Sequence, residues 1–294
     1  MCRIMMHPQS IFLFVFFLVA GFAVFLFDYR NFGAYTGTPR NWISPKRHLE
    51  DYHAALDFLK LDTTISKLGQ KVDTSRILLW GTSFSGGHVL EIASQRSYYD
   101  KRIRGVVSQV PHLSGKAAAL KGIKTRGLAK MLRLAMAALQ DKARQFMDLP
   151  PVTAKIIGSG SDLAIMDVTL EDRKRYLDKQ PVNKLGGWIN QTPARILLEI
   201  RFYNPIDTLK KFQHQQQQQD VSVDEAKGGI QVPVLLIGAS MDDLCPPELI
   251  KEASILIPDS KYIVREGTHF QIYEPQNWKV VSEEMIQFFN KCLA

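Results

Sequence analysis

The sequence predicts an α/β protein in which helices flank a mostly parallel sheet. Short runs rich in Ile, Leu and Val, at residues 76–80, 105–109 and 233–238, are typical of strands buried on both faces. Stretches of helical spacing separate these runs. Strands that are joined through helices pair in parallel by right-handed crossovers, which gives the α/β class.

Length and composition limit the classes of function. A chain of 294 residues can bury one sizeable core, with or without an inserted subdomain. The net charge is +8, but Lys and Arg are spread along the chain without an RNP, zinc-finger or helix-turn-helix motif, so we expect no nucleic-acid partner. Cys2, Cys245 and Cys292 are too few and too scattered for a disulfide framework or a zinc site, which favours a reducing compartment.

The amino-terminal part has two interpretations. An apolar run begins at Ile11 and ends at Phe27, near the lower length limit for crossing a bilayer, and would act as a signal peptide or membrane anchor. We favour an apolar helix from about Ser10 followed by a buried strand over residues 22–27, because a membrane location would remove that strand from the sheet. On this interpretation the protein is cytoplasmic and the run does not contact a membrane.

Pro45 opens the next predicted helix, whose apolar residues recur on one face. Its two histidines, His48 and His53, are expected to pack or to lie at the surface rather than to bind a ligand. His112 follows the strand at residues 105–109, on the side of the sheet where ligands bind, so it either lines a pocket or is an ordinary loop residue. The sequence gives it no partner, and we favour the second.

Helical patterns dominate residues 113–214, which we predict to be a helical cap that is inserted between strands and covers the site. Its longest helix, at about residues 127–147, has a broad apolar stripe that includes Leu128, Leu132, Leu134, Ala138 and Leu139. This pattern fits either a membrane-surface helix or a helix packed on a core with a solvated basic face, and we favour the second.

Composition predicts the other boundaries. Residues 1–112 form the first part of the core, residues 215–230 a flexible Gln-rich linker, and residues 231–294 the second part of the core. The second part contains predicted strands at residues 233–238 and 261–264, and an amphipathic helix at residues 278–292 ends it.

One segment, residues 76–97, combines a strand, a tight turn and a helix, with Gly81, Ser83 and Ser85 in the turn. In that context a Gly-x-Ser-x-Gly-type turn holds a nucleophilic serine in strained geometry above the sheet. Ser85 departs from the pattern because it replaces the second glycine. The other interpretation is a glycine-rich turn that binds phosphate or only packs.

Two later strand-end loops carry acids and a histidine. Asp242 and Asp243 lie in one loop, and His269 lies in the next. A serine hydroxyl is a weak nucleophile, so a histidine must take its proton and an acid must orient that histidine. Each of these residues alone is also explained as an ordinary loop or helix-cap residue, but their occurrence in this order at strand ends favours catalysis.

The chain resembles the serine α/β-hydrolase superfamily, in particular dienelactone-hydrolase-like and Xaa-Pro-dipeptidyl-peptidase-like proteins. The matching segments are GFAVFLFDYRNFGAYTG at residues 21–37, HLEDYHAALDFL at 48–59, LLWGTSFSGGHVL at 78–90, DDLCPPE at 242–248 and GTHFQIY at 267–273. The resemblance implies an α/β-hydrolase fold in which Ser83 is the nucleophile, His269 the base and the Phe84 backbone N–H an oxyanion-hole donor. The spacing to Pro246 resembles the acid loop of these proteins and favours Asp242 as the acid.

The resemblance also implies the activity. We expect cleavage of a carboxylic ester, thioester or small amide through an acyl-enzyme, with a small-molecule acyl substrate and without a metal or organic cofactor. Members of the superfamily begin with several strands and an HG-type loop that supplies a second oxyanion donor, and the sequence shows no such loop before residue 22, so we expect a chain shortened at its amino terminus. The alternative is a hydrolase-fold protein that is weakly active or binds a ligand without turnover.

Overall fold

The computed structural model describes residues 15–33, 35–61, 72–178, 188–217 and 228–294. In chain order its principal elements are α1 (Pro45–Phe58), β1 (Ile77–Thr82), α2 (Phe84–Arg96), β2 (Ile103–Gln109), α3 (Gly115–Arg126), α4 (Leu128–Phe146), β3 (Thr153–Gly158), β4 (Ala164–Asp167), α5 (Leu170–Leu177), β5 (Thr192–Pro193), α6 (Ile196–Glu199), α7 (Pro205–Gln217), β6 (Val234–Ala239), α8 (Pro247–Leu256), β7 (Ser260–Arg265) and α9 (Pro275–Leu293). Two 3-10 segments, Ile200–Phe202 and Gln271–Tyr273, and a helical turn over residues 15–19 are also present.

These elements belong to two compact units. The first unit contains residues 1–51 and 115–203, and the second unit contains residues 52–114 and 204–294. Composition predicts that residues 1–112 form one part of the core. In the structure residues 1–51 instead belong to the same unit as residues 115–203.

A four-stranded parallel sheet with the order β1-β2-β6-β7 lies at the centre of the second unit. β6 is an inner strand, and all six of its residues are buried, as its continuous apolar sequence predicts. Helix α2 covers one face, where a methyl group at Gly81 would meet Val89, and α9 covers the other, where a methyl group at Gly105 would meet Cys292. The predicted α/β class, with helices on both faces of a parallel sheet, is confirmed.

The carboxyl ends of three of these strands lie at one edge of the sheet because the strands are parallel. Ser83 follows β1, the loop with Asp242 follows β6, and the loop with His269 follows β7. The register places Thr82 beside Gln109 and Ala239 beside Arg265, so these strands end at matching levels. The topology therefore brings three distant chain segments to the same edge.

The first unit combines helices with a small sheet. Helices α3 and α4 pack together, and β3 pairs in parallel with β4 and antiparallel with β5. The prediction of a helical cap over residues 113–214 is therefore wrong for the segments that form β3, β4 and β5. Ile156 and Ile157 favour a strand, but β3 has only six residues and stands between longer helical patterns.

A buried ion pair joins α4 to the segment after β5 within the first unit. Asp141 Oδ2 lies 2.7 Å from Arg195 Nε, and Asp141 Oδ1 lies 3.0 Å from Arg195 Nη2. The same carboxylate accepts the backbone N–H groups of Val152 and Arg195. Both side chains are buried, and this complete set of hydrogen bonds is what allows a carboxylate to remain charged away from water.

Helix α4 carries apolar side chains on two faces. Leu134 and Ala138 are buried beside Asp141, whereas five large apolar side chains are exposed: Leu128, Leu132, Met136, Leu139 and Phe146. The prediction that the whole stripe packs on a core is wrong for Leu128, Leu132 and Leu139. Apolar residues occupy most of the circumference of this helix, and only one side of it is covered.

The predicted strand over residues 22–27 is not observed. Residues 15–19 are helical, the Ala20 N–H donates to Phe16 O, and residues 22–29 have no regular structure. An apolar run forms a strand only when a neighbouring strand binds its N–H and C=O groups, and none of the described strands pairs with this one. The part of the apolar run before residue 15 lies outside the described residues. In the part of the chain that the structure describes, no helix has the length and apolar character needed to cross a bilayer.

The predicted Gln-rich linker at residues 215–230 overlaps two ordered features. Helix α7 continues through Gln217, and residues 228–230 are buried, with the Gly229 N–H donating to Ser94 O at 3.0 Å. Residues 218–227 lie outside the described residues.

Candidate active site

The turn between β1 and α2 holds Ser83 in a strained backbone conformation. Its φ of 54° and ψ of −120° are unusual for a residue other than glycine. Backbone hydrogen bonds stabilise this conformation, because the Ser83 N–H donates to Gln109 O at 2.9 Å and Ser83 O accepts the His112 N–H at 2.9 Å. Ser83 therefore projects from a turn that is tied directly to the end of β2.

Close packing explains where this turn needs glycine. A methyl group at Gly81 would lie 2.2 Å from the Ser85 carbonyl oxygen, and one at Gly86 would lie 2.9 Å from Pro111 Cα. Both contacts are with backbone atoms that a side-chain rotation cannot move. After the serine, the position that needs glycine is therefore Gly86. This explains why a serine is tolerated at position 85, which is the second glycine position of the Gly-x-Ser-x-Gly pattern.

His269 connects the serine to the acid. Its Nε2 lies 2.9 Å from Ser83 Oγ, and its Nδ1 lies 2.7 Å from Asp242 Oδ2. His269 and Asp242 are both buried. The structure therefore brings Ser83, His269 and Asp242 into one continuous hydrogen-bonded line.

The acid loop distinguishes Asp242 from its neighbour. Asp242 Oδ1 accepts the backbone N–H groups of Leu244 at 2.9 Å and Cys245 at 2.7 Å, so its other oxygen faces His269. Asp243 is exposed. Of the two acids left open by the sequence, the structure places Asp242 against the histidine.

Phe84 is the first residue of α2 and directly follows Ser83. The backbone N–H groups of the first helical turn have no acceptor within their own helix and carry partial positive charge. The Phe84 N–H therefore lies where the sequence predicts an oxyanion donor. Its ring packs 5.5 Å from the His112 ring.

Two further residues pack at this site. One is His112, for which the pocket role was the less favoured prediction, and the other is Tyr273, which was not predicted from the sequence as a site residue. His112 is buried, and burial together with the charge of His269 lowers its pKa to about 4, so its imidazole is neutral at pH 7. The Tyr273 hydroxyl hydrogen-bonds to Thr82 Oγ1, and its ring lies 6.4 Å from the His269 ring. Tyr273 follows His269 by four residues, which was the available signal, but residue type alone does not indicate this contact.

The same site contains one set of potential metal ligands. One ligand atom each from Asp242, Cys245 and His269 lies within 4.8 Å of the other two, and all three residues are buried. Asp242 Oδ2 and His269 Nδ1 are already hydrogen-bonded to each other at 2.7 Å. A metal ion would have to break that bond and displace its proton, so this arrangement fits proton transfer better than metal binding.

A parallel sheet with a strained serine turn after one strand, and an acid and a histidine after two others, is the architecture of α/β hydrolases. The chain belongs to the alpha/beta hydrolase fold family, whose model matches residues 7–276.

Curated relatives and solved structures agree with that assignment. The chain is 28% identical to the quorum-quenching protein AidA of Acinetobacter baumannii over 278 residues, which cover 94% of this chain and 79% of AidA. It is 37% identical to the thiohydrolase aneE of Aspergillus aculeatus over 91 residues, which cover 31% of this chain and 25% of aneE. The structure of DcsB in complex with its substrate analogue matches with a TM-score of 0.69 at 20% identity and covers 95% of this chain and 84% of DcsB, which shows a shared fold.

Proposed function

We propose that the protein is a serine hydrolase that cleaves a carboxylic ester, a thioester or a small amide through a covalent acyl-enzyme. The observation that carries this proposal is the position of His269, whose two ring nitrogens bridge Ser83 Oγ and Asp242 Oδ2. The finer resemblance to dienelactone-hydrolase-like and Xaa-Pro-peptidase-like proteins remains a prediction.

In the proposed acylation step, Ser83 Oγ attacks the carbonyl carbon of the substrate while His269 Nε2 takes the hydroxyl proton. The Nδ1–H of His269 donates to Asp242, which fixes the tautomer and stabilises the imidazolium. The Phe84 N–H donates to the carbonyl oxygen as it becomes negative. His269 then gives its proton to the leaving alcohol, thiol or amine, and the acyl group stays on Ser83.

In the proposed deacylation step, His269 Nε2 takes a proton from a water molecule that attacks the acyl carbon. The bond from the carbonyl carbon to Ser83 Oγ breaks, and the proton returns to Ser83 Oγ. An alcohol or amine in place of water would make the same chemistry an acyl transfer. Neither step needs a metal or an organic cofactor.

The names of the relatives help to choose substrates for testing. One relative is named a thiohydrolase, which places acyl thioesters beside simple esters in a first substrate panel. Another is named a quorum-quenching protein, so quorum-sensing signal molecules that contain an ester or amide bond belong in the same panel. The acyl and leaving groups that give the fastest turnover in this panel would define this chain's own substrate class.

A fluorophosphonate probe tests the proposed nucleophile. We expect the probe to label the wild-type protein, and we expect Ser83→Ala to remove the label because no other activated hydroxyl is proposed. Ser85→Ala is the matched control, since Ser85 lies two residues away in the first turn of α2 and has no proposed role.

Labelling of Ser83→Ala at the wild-type level would refute the assignment of the nucleophile. A folded wild-type protein that neither reacts with the probe nor turns over the ester and thioester panel would instead favour the alternative of a hydrolase-fold binding protein.

A further inference from the structure

Helix α4 presents an apolar surface to solvent that the proposed chemistry does not use. We call this surface the docking face and define it as Leu128, Leu132, Met136, Leu139 and Phe146. These side chains are between 53% and 82% exposed. At 3.6 residues per turn, their positions fall within an arc of about 80° along a helix about 28 Å long.

The docking face is large for a surface exposed to water. Its five side chains together expose on the order of 500 Å² of apolar area, which is in the range of the largest patches on soluble monomers. The opposite side of the same helix already supplies Leu134 and Ala138 to the interior of the first unit. Packing within that unit therefore does not explain the second apolar face.

Basic side chains border the docking face. Arg133 and Arg144 lie on one side of the apolar arc and Lys142 lies on the other, as the helical periodicity places them. In the described structure, Lys142 donates to Gln145 Oε1 and Arg144 donates to Pro150 O, and both of these acceptors are uncharged. Long basic side chains in such positions can extend toward lipid headgroups while their methylene chains cover apolar surface.

The charge of this region is strongly one-sided. Residues 115–147 contain eight Lys and Arg residues and one acidic residue, Asp141, in a chain whose net charge is +8. Asp141 lies on the buried side and is neutralised by Arg195. Asp167 pairs with Arg126 and Lys130, which leaves six basic residues of this region that neither acid neutralises. A second copy of this chain would bring like charges together at this face, whereas an anionic surface would be attracted to it.

We propose that the docking face binds the surface of a membrane that contains anionic lipids. Helix α4 then lies parallel to the bilayer plane, its apolar side chains enter the boundary between headgroups and acyl chains, and Arg133, Lys142 and Arg144 contact lipid phosphates. This contact is separate from the apolar run that ends at Phe27, and it does not depend on the proposed catalytic chemistry.

Co-sedimentation of the full-length protein with vesicles tests the proposal. We expect the wild type to bind vesicles of phosphatidylcholine mixed with phosphatidylserine, to bind phosphatidylcholine alone weakly, and to be released by salt. L132Q/L139Q is expected to lower the partition coefficient roughly tenfold or more through lost apolar burial. R133Q/K142Q is expected to lower it by about tenfold or more through lost attraction to anionic lipid.

K251Q/I255Q is the control for both variants, because it removes one exposed basic and one exposed apolar side chain from another helix, α8. It is expected to bind vesicles like the wild type. The substituted side chains are exposed except for Lys142, which is half-buried and whose described hydrogen bond is to the uncharged Gln145 Oε1. Each variant is therefore expected to keep the wild-type melting temperature, which thermal unfolding checks.

Three results would overturn the proposal. The first is a folded wild type that does not bind anionic vesicles. The second is L132Q/L139Q that binds as well as the wild type, which would assign binding to another part of the chain. The third is a wild-type dimer that L132Q/L139Q converts to a monomer in size-exclusion chromatography, which would assign the face to a second copy of this chain.

Discussion

Replacing Asp242 by Asn is expected to remove most of the proposed activity by placing the proton of His269 on the wrong nitrogen. Asp242 Oδ1 accepts two backbone N–H groups, from Leu244 and Cys245, and Oδ2 accepts the Nδ1–H of His269. An asparagine offers one acceptor oxygen and one donor NH₂ group. The two backbone donors bind the oxygen, so the NH₂ group faces His269 Nδ1 and donates to it.

A His269 Nδ1 that accepts a hydrogen bond leaves the ring proton on Nε2, which faces Ser83 Oγ and then cannot take the serine proton. Reversing the amide would leave the two buried N–H groups without an acceptor, at a cost of roughly 1–3 kcal/mol each. The productive arrangement would therefore be populated at between about 1 in 30 and about 1 in 25,000. Because the negative charge beside the imidazolium is lost as well, we expect kcat to fall by about a hundredfold to ten-thousandfold.

Initial rates on a p-nitrophenyl ester measure this effect, with thermal unfolding as a check of the fold. D243N is the matched control, since Asp243 is adjacent and exposed, and it is expected to keep kcat within about twofold of the wild type. A D242N variant that keeps more than a tenth of the wild-type kcat would refute the argument. A D243N variant that loses as much activity as D242N would also refute it.

Three other substitutions test separate features. Gly81→Ala would place a methyl group 2.2 Å from Ser85 O, so we expect the turn to shift and fluorophosphonate labelling to fall at least tenfold, measured by gel fluorescence. Asp141→Asn removes the charge that compensates buried Arg195, and we expect urea unfolding to show a free energy of unfolding lower by about 3–5 kcal/mol. Burial lowers the pKa of His112 in the folded state to about 4, against about 6.5 for an unperturbed histidine, so the unfolded state binds the proton first as the pH falls. The contribution of His112 to the free energy of unfolding is therefore fully present above pH 6.5 and falls by about 3 kcal/mol as the pH is lowered to 4. Denaturation of the wild type and of His112→Asn at several pH values measures this difference.

Each of these substitutions has a control. For Gly81→Ala the control is Gly122→Ala, which lies inside α3, meets only ordinary contacts and should be neutral or stabilising. For Asp141→Asn the control is Asp57→Asn, which removes an exposed partner of Arg96. For His112→Asn the control is His214→Asn, which changes an exposed histidine. Equal effects in a substitution and its control would contradict the corresponding argument. A wild-type protein whose stability does not change between pH 6.5 and 4 would contradict the account of His112.

The sequence predicted the parts of the fold whose structure depends on local pattern. The strands at residues 76–80, 105–109, 233–238 and 261–264 appear as β1, β2, β6 and β7, and the turn at Ser83 lies between β1 and α2 as expected. Buried parallel strands are short and continuously apolar, and a strand that runs directly into a helix has few possible turn geometries. Local pattern was therefore sufficient for these elements.

Features that depend on neighbours were harder to predict. Residues 22–27 have the composition of a strand but no paired strand among the described residues, and the exposed leucines of α4 resemble its buried Leu134 in sequence. Asp242 and Asp243 differ by one position, and only the path of the loop decides which carboxylate reaches His269. In each case the deciding contact comes from another part of the chain, which periodicity does not report.

The way in which Asp242 is held has a consequence for how this loop tolerates mutation. Its Oδ1 is bound by main-chain groups of Leu244 and Cys245, which every amino acid except proline provides. The side chains at positions 243 and 244 can therefore change in size and charge while the carboxylate keeps its place beside His269. Natural variation in this loop can alter the surface that it presents to incoming molecules without disturbing proton transfer.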